Sequence, residues 1–207
     1  MPFYSDHNAG ALKDLGKERE NKLSTNTPAK SEKKNPITAK VVGKSIWYGI
    51  IVGIFSGWIK MGWENLFPPR TPIRNDPNPP QHMAQQLGIP DDVIFGTVYY
   101  NGNPIMPFTL LLHFTFAIAF SFLFILLIQN WRKVAMGQGV VYGLVLWVLW
   151  HIILMPLLGT TPAPWDCPFE EHFSECLGHA VWGWSIAVTA YYLINHQKVK
   201  TLINFDD

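Results

Sequence analysis

Lys60 and Glu64 stand four residues apart, as do Glu171 and Glu175, and Glu175 and His179. On a helix an i, i+4 spacing puts both side chains on one face, where opposite charges pair and like charges repel. Lys60 and Glu64 therefore read as an ion pair. Glu171 and Glu175 need a proton or a nearby cation to relieve their repulsion, and Arg70 is the cation best placed to supply it. His113, His151 and His179 add groups that change charge at about pH 6.5, so a cluster containing them would respond to mild acid. Glu175, His179 and His151 also form a donor set of the kind that holds a divalent metal. That spacing alone does not specify a metal, and no cofactor is assigned from it.

These residues lie where hydrocarbon contacts are expected. Four stretches are nearly free of charge: Ile46–Leu66, Pro107–Gln129, Gly137–Gly159 and Leu177–His196. Each has about 20 residues or slightly more, enough to cross a ~30 Å hydrocarbon layer as a helix. The mean hydropathy of +0.10, net charge of +1 and 15% charged residues describe the whole chain and conceal this segregation. The expected fold is an all-α membrane protein with four transmembrane helices. The expected organisation is a basic, disordered arm over residues 1–44, a membrane domain over 45–197 with an outer loop at 67–106, and a tail at 198–207.

No early apolar segment resembles a secretory signal, so the first span is expected to direct insertion. The arm carries nine Lys and Arg residues, the link between the second and third spans carries Arg132 and Lys133, and the tail carries Lys198 and Lys200. The other side has Arg70 and Arg74. The positive-inside rule puts both termini in the cytoplasm. The outer side then holds an acidic set that includes Asp166 and Glu171, which with Arg70 would form a periplasmic mouth. Most tryptophans and tyrosines near span ends, such as Trp47, Trp63 and Trp165, read as an interfacial belt. Cys167 and Cys176 are too far apart along a helix starting near Pro168 to form a disulfide bridge.

Depth and face connect the charged residues. Gly53, Gly57, Lys60 and Glu64 fall within about 60° of one another on a helical wheel. Gly49, Gly53 and Gly57 make a small-xxx-small ladder that lets helices approach closely in lipid, so this face is expected to support a dimer or a tight bundle. A lysine facing lipid at this depth costs on the order of 2.5–3.5 kcal/mol, and a partnered one facing the bundle costs much less. At 1.5 Å per residue, Lys60, Glu64, His113, His151 and His179 all lie roughly 3–12 Å below the outer boundary. One buried histidine is usually an ordinary core residue. A common depth across four spans points instead to one outer-leaflet polar layer of Lys60, Glu64, His113, His151, Glu175 and His179.

The segments "KMGWENLFPPRTP", "PLLGTTP", "DCPFEEHFSECLGH" and "VWGWSI" resemble the YagU-like family of bacterial inner-membrane proteins, over approximately Ser45–Ile194. The resemblance implies an inner-membrane location, a link to acid resistance and a homodimer. It carries over no catalytic or transport residues. The arm and most of the Pro72–Met106 loop fall outside it.

Three functions are compatible with these features: a protein of acid tolerance working through the protonatable layer, with a proton or small-solute pathway as one form; a metal-dependent membrane enzyme built on Glu175, His179 and His151; and a scaffold that recruits a partner. No nucleotide fingerprint, nucleophile elbow or zinc-protease motif is present, which weighs against an enzyme. The expected partners are the bilayer and a second copy of the chain, with no nucleic acid. The substrate is not encoded in any motif.

Overall fold

A computed structural model describes residues 38–203, with side chains from 38 to 195, within a unit spanning Pro36–Asp207. Most of the expected arm therefore lies outside the described residues. Helix α1 (Ala39–Leu66) begins earlier than the apolar stretch suggested, taking in Lys40 and Lys44. Thr38 explains the early start: it has extended backbone and its hydroxyl accepts from the Val41 N–H at 3.3 Å, satisfying a group that the helix leaves open. Pro68 and Pro69 end the helix, since neither can donate to the preceding turn.

The connection over residues 67–106 is more structured than a plain loop. It contains a 3-10 turn (Ile73–Asn75), α2 (Pro79–Gln86), α3 (Asp91–Ile94), and a small hairpin of β1 (Val98–Tyr100) and β2 (Asn103–Ile105). A reciprocal capping box between Asn78 and Gln81 starts α2. Asn101 and Gly102, with φ of 50° and 78°, supply the left-handed pair that a tight hairpin turn requires.

Helix α4 (Pro107–Ile128) begins with proline in its first turn, where the missing N–H costs nothing. After a 3-10 turn (Arg132–Gly139) the chain forms α5 (Val140–Trp147), a π-helical segment (Val148–Leu154) and α6 (Met155–Leu157). Pro156 cannot donate to the Ile152 carbonyl, and the wide turn lies immediately before it, where a sequence reading would place a kink. His151 sits within that turn. The last helix, α7, runs from Phe169 to Ile203, past the expected start of the tail.

Among the described residues, three helical stretches are long and apolar enough to cross a membrane: Ala39–Leu66, Pro107–Ile128 and Arg132–Leu157. Helix α7 is long enough, but Glu170, Glu171, His172, Glu175 and His179 make its first turns polar. Large apolar side chains such as Trp47, Phe55, Trp58, Leu111 and Val145 are exposed on the outer surfaces, as expected for surfaces that meet lipid tails.

Close backbone approach organises the interior. The first ladder packs within the chain: a Cβ added at Gly49 would lie 2.9 Å from the Phe122 Cα, one at Gly53 would strike the Ile118 backbone, and one at Gly57 would touch the Phe114 ring at 3.0 Å. The face expected to serve a dimer or tight bundle is thus occupied by α4, and self-association would have to use another surface. A second small-residue contact, unread in the sequence, joins the end of the 3-10 turn (Gly139) and α5 (Gly143) to α7 (Gly183). Between these seams Val52, Phe124, Ile125, Tyr142, Leu146, Trp182 and Ile186 form the core.

Candidate functional site

The C-terminal end of α1 has two charged side chains, Lys60 and Glu64, the turn after it contributes Arg70, and the 3-10 turn contributes Arg74. Helix α7 faces them with Glu171, Glu175 and His179. Glu175 is the hub. Its Oε1 accepts from Arg70 Nη1 at 3.0 Å. Its Oε2 lies 3.6 Å from Lys60 Nζ, 3.4 Å from His151 Nε2 and 3.9 Å from His179 Nδ1. Lys60 also pairs with Glu64. Glu171 meets Arg70 Nε at 3.5 Å and Arg74 Nε at 2.5 Å. Three cationic and three anionic side chains thus balance in one network, and the repulsion between Glu171 and Glu175 is relieved by the arginine they share.

Lys60, Glu171, Glu175 and His179 are buried, whereas the Glu64 side chain keeps 34% of its surface exposed. A clip at the helix ends holds the geometry: Trp63 Nε1 donates to the Ser174 carbonyl at 3.0 Å, and the Ser174 hydroxyl donates to the Phe67 carbonyl. Gly178 permits this closeness, since a Cβ there would come within 2.8 Å of the Trp63 ring.

Of the six residues expected in one layer, Lys60, Glu64, His151, Glu175 and His179 converge in this network. His113 lines the same cavity but takes no part in the network; its Nε2 lies 2.9 Å from the Gly57 carbonyl. At the expected mouth, Arg70 and Glu171 join the ion pairs, while Asp166 is exposed in the turn Pro164–Asp166. Arg74 was not singled out from the sequence. The available signal was charge balance: Lys60 and Arg70 leave one of the carboxylates Glu64, Glu171 and Glu175 unmatched. The hydrogen bond and charge of Glu171 hold the Arg74 proton more firmly than usual. Nearby, burial and then the Glu171 charge push the Cys167 thiol up, which disfavours a reactive thiolate.

The network borders a cavity of about 370 Å³. Its other walls come from α4 (Phe116, Phe120), the π segment (Trp150) and α7 (Trp182), with Asn78, Pro79 and Met83 of the connection between α1 and α4 closing over it. Helix α2 is tied down as a cover: Gln81 donates to the Thr109 hydroxyl at 3.2 Å, His82 Nδ1 lies 2.8 Å from the Thr160 carbonyl, and Gln86 donates to the Leu158 carbonyl at 3.0 Å. Among the described residues, the buried polar atoms without a hydrogen-bond partner are Glu175 Oε2, Trp182 Nε1, Trp147 Nε1 and Ser121 Oγ.

His151, Glu175 and His179 bring one donor atom each to within 4.8 Å of one another. The separations suit a metal, but the charges do not. The oxygen that would ligate already faces Lys60, with Arg70 on the other oxygen of the same carboxylate. A divalent cation there would meet two fixed positive charges in a poorly screened place, so the donor set fits an ion-pair network better than a metal centre.

The chain is 28% identical over 176 residues to inner membrane protein YagU of Escherichia coli (strain K12), covering 74% of this chain and 85% of that protein. No solved structure matches it. Residues 54–188 match a family described as a protein of unknown function, DUF1440. That match takes in the whole charged network and all four sequence segments of the resemblance, so the chain belongs to the DUF1440 family, as a multi-pass protein of the inner membrane.

Proposed function

We propose that this protein crosses the inner membrane four times with both termini in the cytoplasm, and supports tolerance of external acid through a proton-responsive cluster around Glu175. The observation that carries this reading is the balanced, largely buried network of three cations and three carboxylates with two histidines against its central oxygen. Imidazole is the side chain that ordinarily changes charge between pH 5 and 8. Protonating His151 or His179 adds positive charge where Lys60, Arg70 and Arg74 already match Glu64, Glu171 and Glu175. The excess is relieved by loosening the contacts of α1 with α7, or by admitting water or an anion to the cavity.

A responsive element is favoured over an open proton conduit. Deeper in the bundle Val52, Phe124, Ile125 and Ile186 are almost inaccessible to solvent, and the buried polar side chains beside them are the hydroxyls of Ser56, Ser121 and Ser185, so no titratable side chain continues the network among these residues.

Acid survival tests the reading. His151→Ala and His179→Ala should reduce survival at external pH 5 and leave growth at pH 7 unchanged. His113→Ala should have a smaller effect, because its ring meets a backbone carbonyl rather than Glu175. Parent-like survival of all three variants at every pH would reduce the cluster to packing.

The fourth span is supported by the length of α7, which at 1.5 Å per residue reaches about 50 Å, and by its contacts with α1 and α5. The thirteen Lys and Arg residues on the proposed cytoplasmic side, against Arg70 and Arg74 outside, support the orientation. In a Cys167→Ser, Cys176→Ser background, Asn78→Cys should react with an impermeant thiol reagent in intact cells, and Met136→Cys only after permeabilisation. The reverse labelling would overturn the orientation.

A further inference from the structure

We propose that α1 carries a site for an anionic phospholipid, with the phosphate on Lys40 and Lys44 and an acyl chain along the apolar stripe that follows them. This goes beyond acid tolerance and needs no titrating group.

The stripe sets the length. The buried residues of α1, among them Gly49, Val52, Gly53 and Lys60, take one side of the helix, against α4 and α7. At 100° per residue, Lys40, Lys44, Trp47, Ile54, Phe55 and Trp58 fall on the opposite side, within about 100° of one another. All six are exposed. Trp47 to Trp58 rises about 16 Å, close to one leaflet of a ~30 Å hydrocarbon layer. Trp47 thus has the interfacial place that an indole favours. Lys44 and Lys40 stand about one and two turns before it, at the level of the headgroups.

Charge selects the headgroup. Among the described residues the carboxylates are Glu64, near the far end of α1, and those of the connection over residues 67–106, the turn before α7 and its first turns. None of them is beside Lys40 or Lys44. Gly49 packs on Phe122, Gly53 on Ile118 and Gly57 on Phe114. The same antiparallel register brings the turn at Trp131 level with Lys40, so Arg132 and Lys133 add positive charge at this end. Such basic sets attract anionic lipid. Phosphatidylcholine would present a cation of its own to the lysines, whereas phosphatidylglycerol presents only the phosphate charge. A second copy is the poorer occupant. A two-fold axis along the membrane normal would bring the lysines of one copy to those of the other, like charge against like.

The test is native mass spectrometry of the full-length protein in detergent at pH 7.5, with equimolar phosphatidylglycerol and phosphatidylcholine of identical chains. The first lipid retained should be phosphatidylglycerol, by at least about threefold. Lys40→Gln with Lys44→Gln should bring that ratio near unity, and Arg132→Gln with Lys133→Gln should keep most of it. Both lysines are exposed, and thermal melting checks the fold; Lys44→Gln alone replaces the pair if the double variant fails. A parent ratio near unity, or one that the lysine changes leave intact, would overturn the proposal. In a Cys167→Ser, Cys176→Ser background, Phe55→Cys should stay monomeric when membranes are oxidised. Efficient disulfide-linked dimers would put a second copy on the stripe and also overturn it. Neither measurement involves acid, so the outcome is separate from that of the survival experiment.

Discussion

Glu175→Ala should cost about 3–5 kcal/mol of stability, the usual consequence of stranding the partners of a buried ion pair. Glu175 joins α7 to Lys60 of α1, to Arg70 in the following turn and to His151 in the π segment. Its removal leaves Lys60 and Arg70, whose side chains are only 8% and 10% exposed, with an unbalanced positive charge and little water to solvate it. Glu64→Ala provides the comparison. The sequence suggests Glu64 as the essential partner of Lys60, yet its carboxylate is about a third exposed and Glu175 also meets Lys60, so the loss should be under about 1 kcal/mol. Both losses are read from thermal unfolding of the purified variants in detergent. Equal losses would mean that water, rather than Lys60 and Arg70, satisfies Glu175.

Gly143→Ala should be nearly as damaging, at about 3 kcal/mol. A Cβ at this position would overlap the His179 carbonyl oxygen and come within 2.8 Å of its carbon and 3.1 Å of the Gly183 Cα. These are backbone atoms, which cannot step aside as a side-chain tip can, so α5 and α7 would have to separate. His151 is connected to α5 and His179 belongs to α7, so the separation also opens the charged cluster. Gly62 is the control: a Cβ there meets nothing within 4 Å, and Gly62→Ala should be neutral or stabilising by up to about 1 kcal/mol through helix propensity. Melting curves that rank the two substitutions alike would mean that the α5–α7 seam is not tightly closed.

The sequence alone determined the long apolar helices, and it set the expected depth of the polar groups, because helical rise and hydrocarbon thickness convert a position in the chain into an expected position in the bilayer. It also determined that Lys60 shares a face with Gly53 and Gly57, since a helical wheel needs no partner. The hub was decided only by tertiary structure. Glu64, Glu171 and Glu175 look equivalent as partners in a spacing argument, and the packing of α7 on α1 makes Glu175 the carboxylate that reaches Lys60, Arg70 and His151 together. His113 shares the expected depth but turns to the Gly57 carbonyl, since depth fixes a layer and says nothing about direction within it. Arg74 enters the network because the connection after α1 brings it back to Glu171 of α7, a path that local sequence does not encode. The seam of Gly139, Gly143 and Gly183 was also hidden from the sequence, because a glycine contact exists only once two distant segments meet.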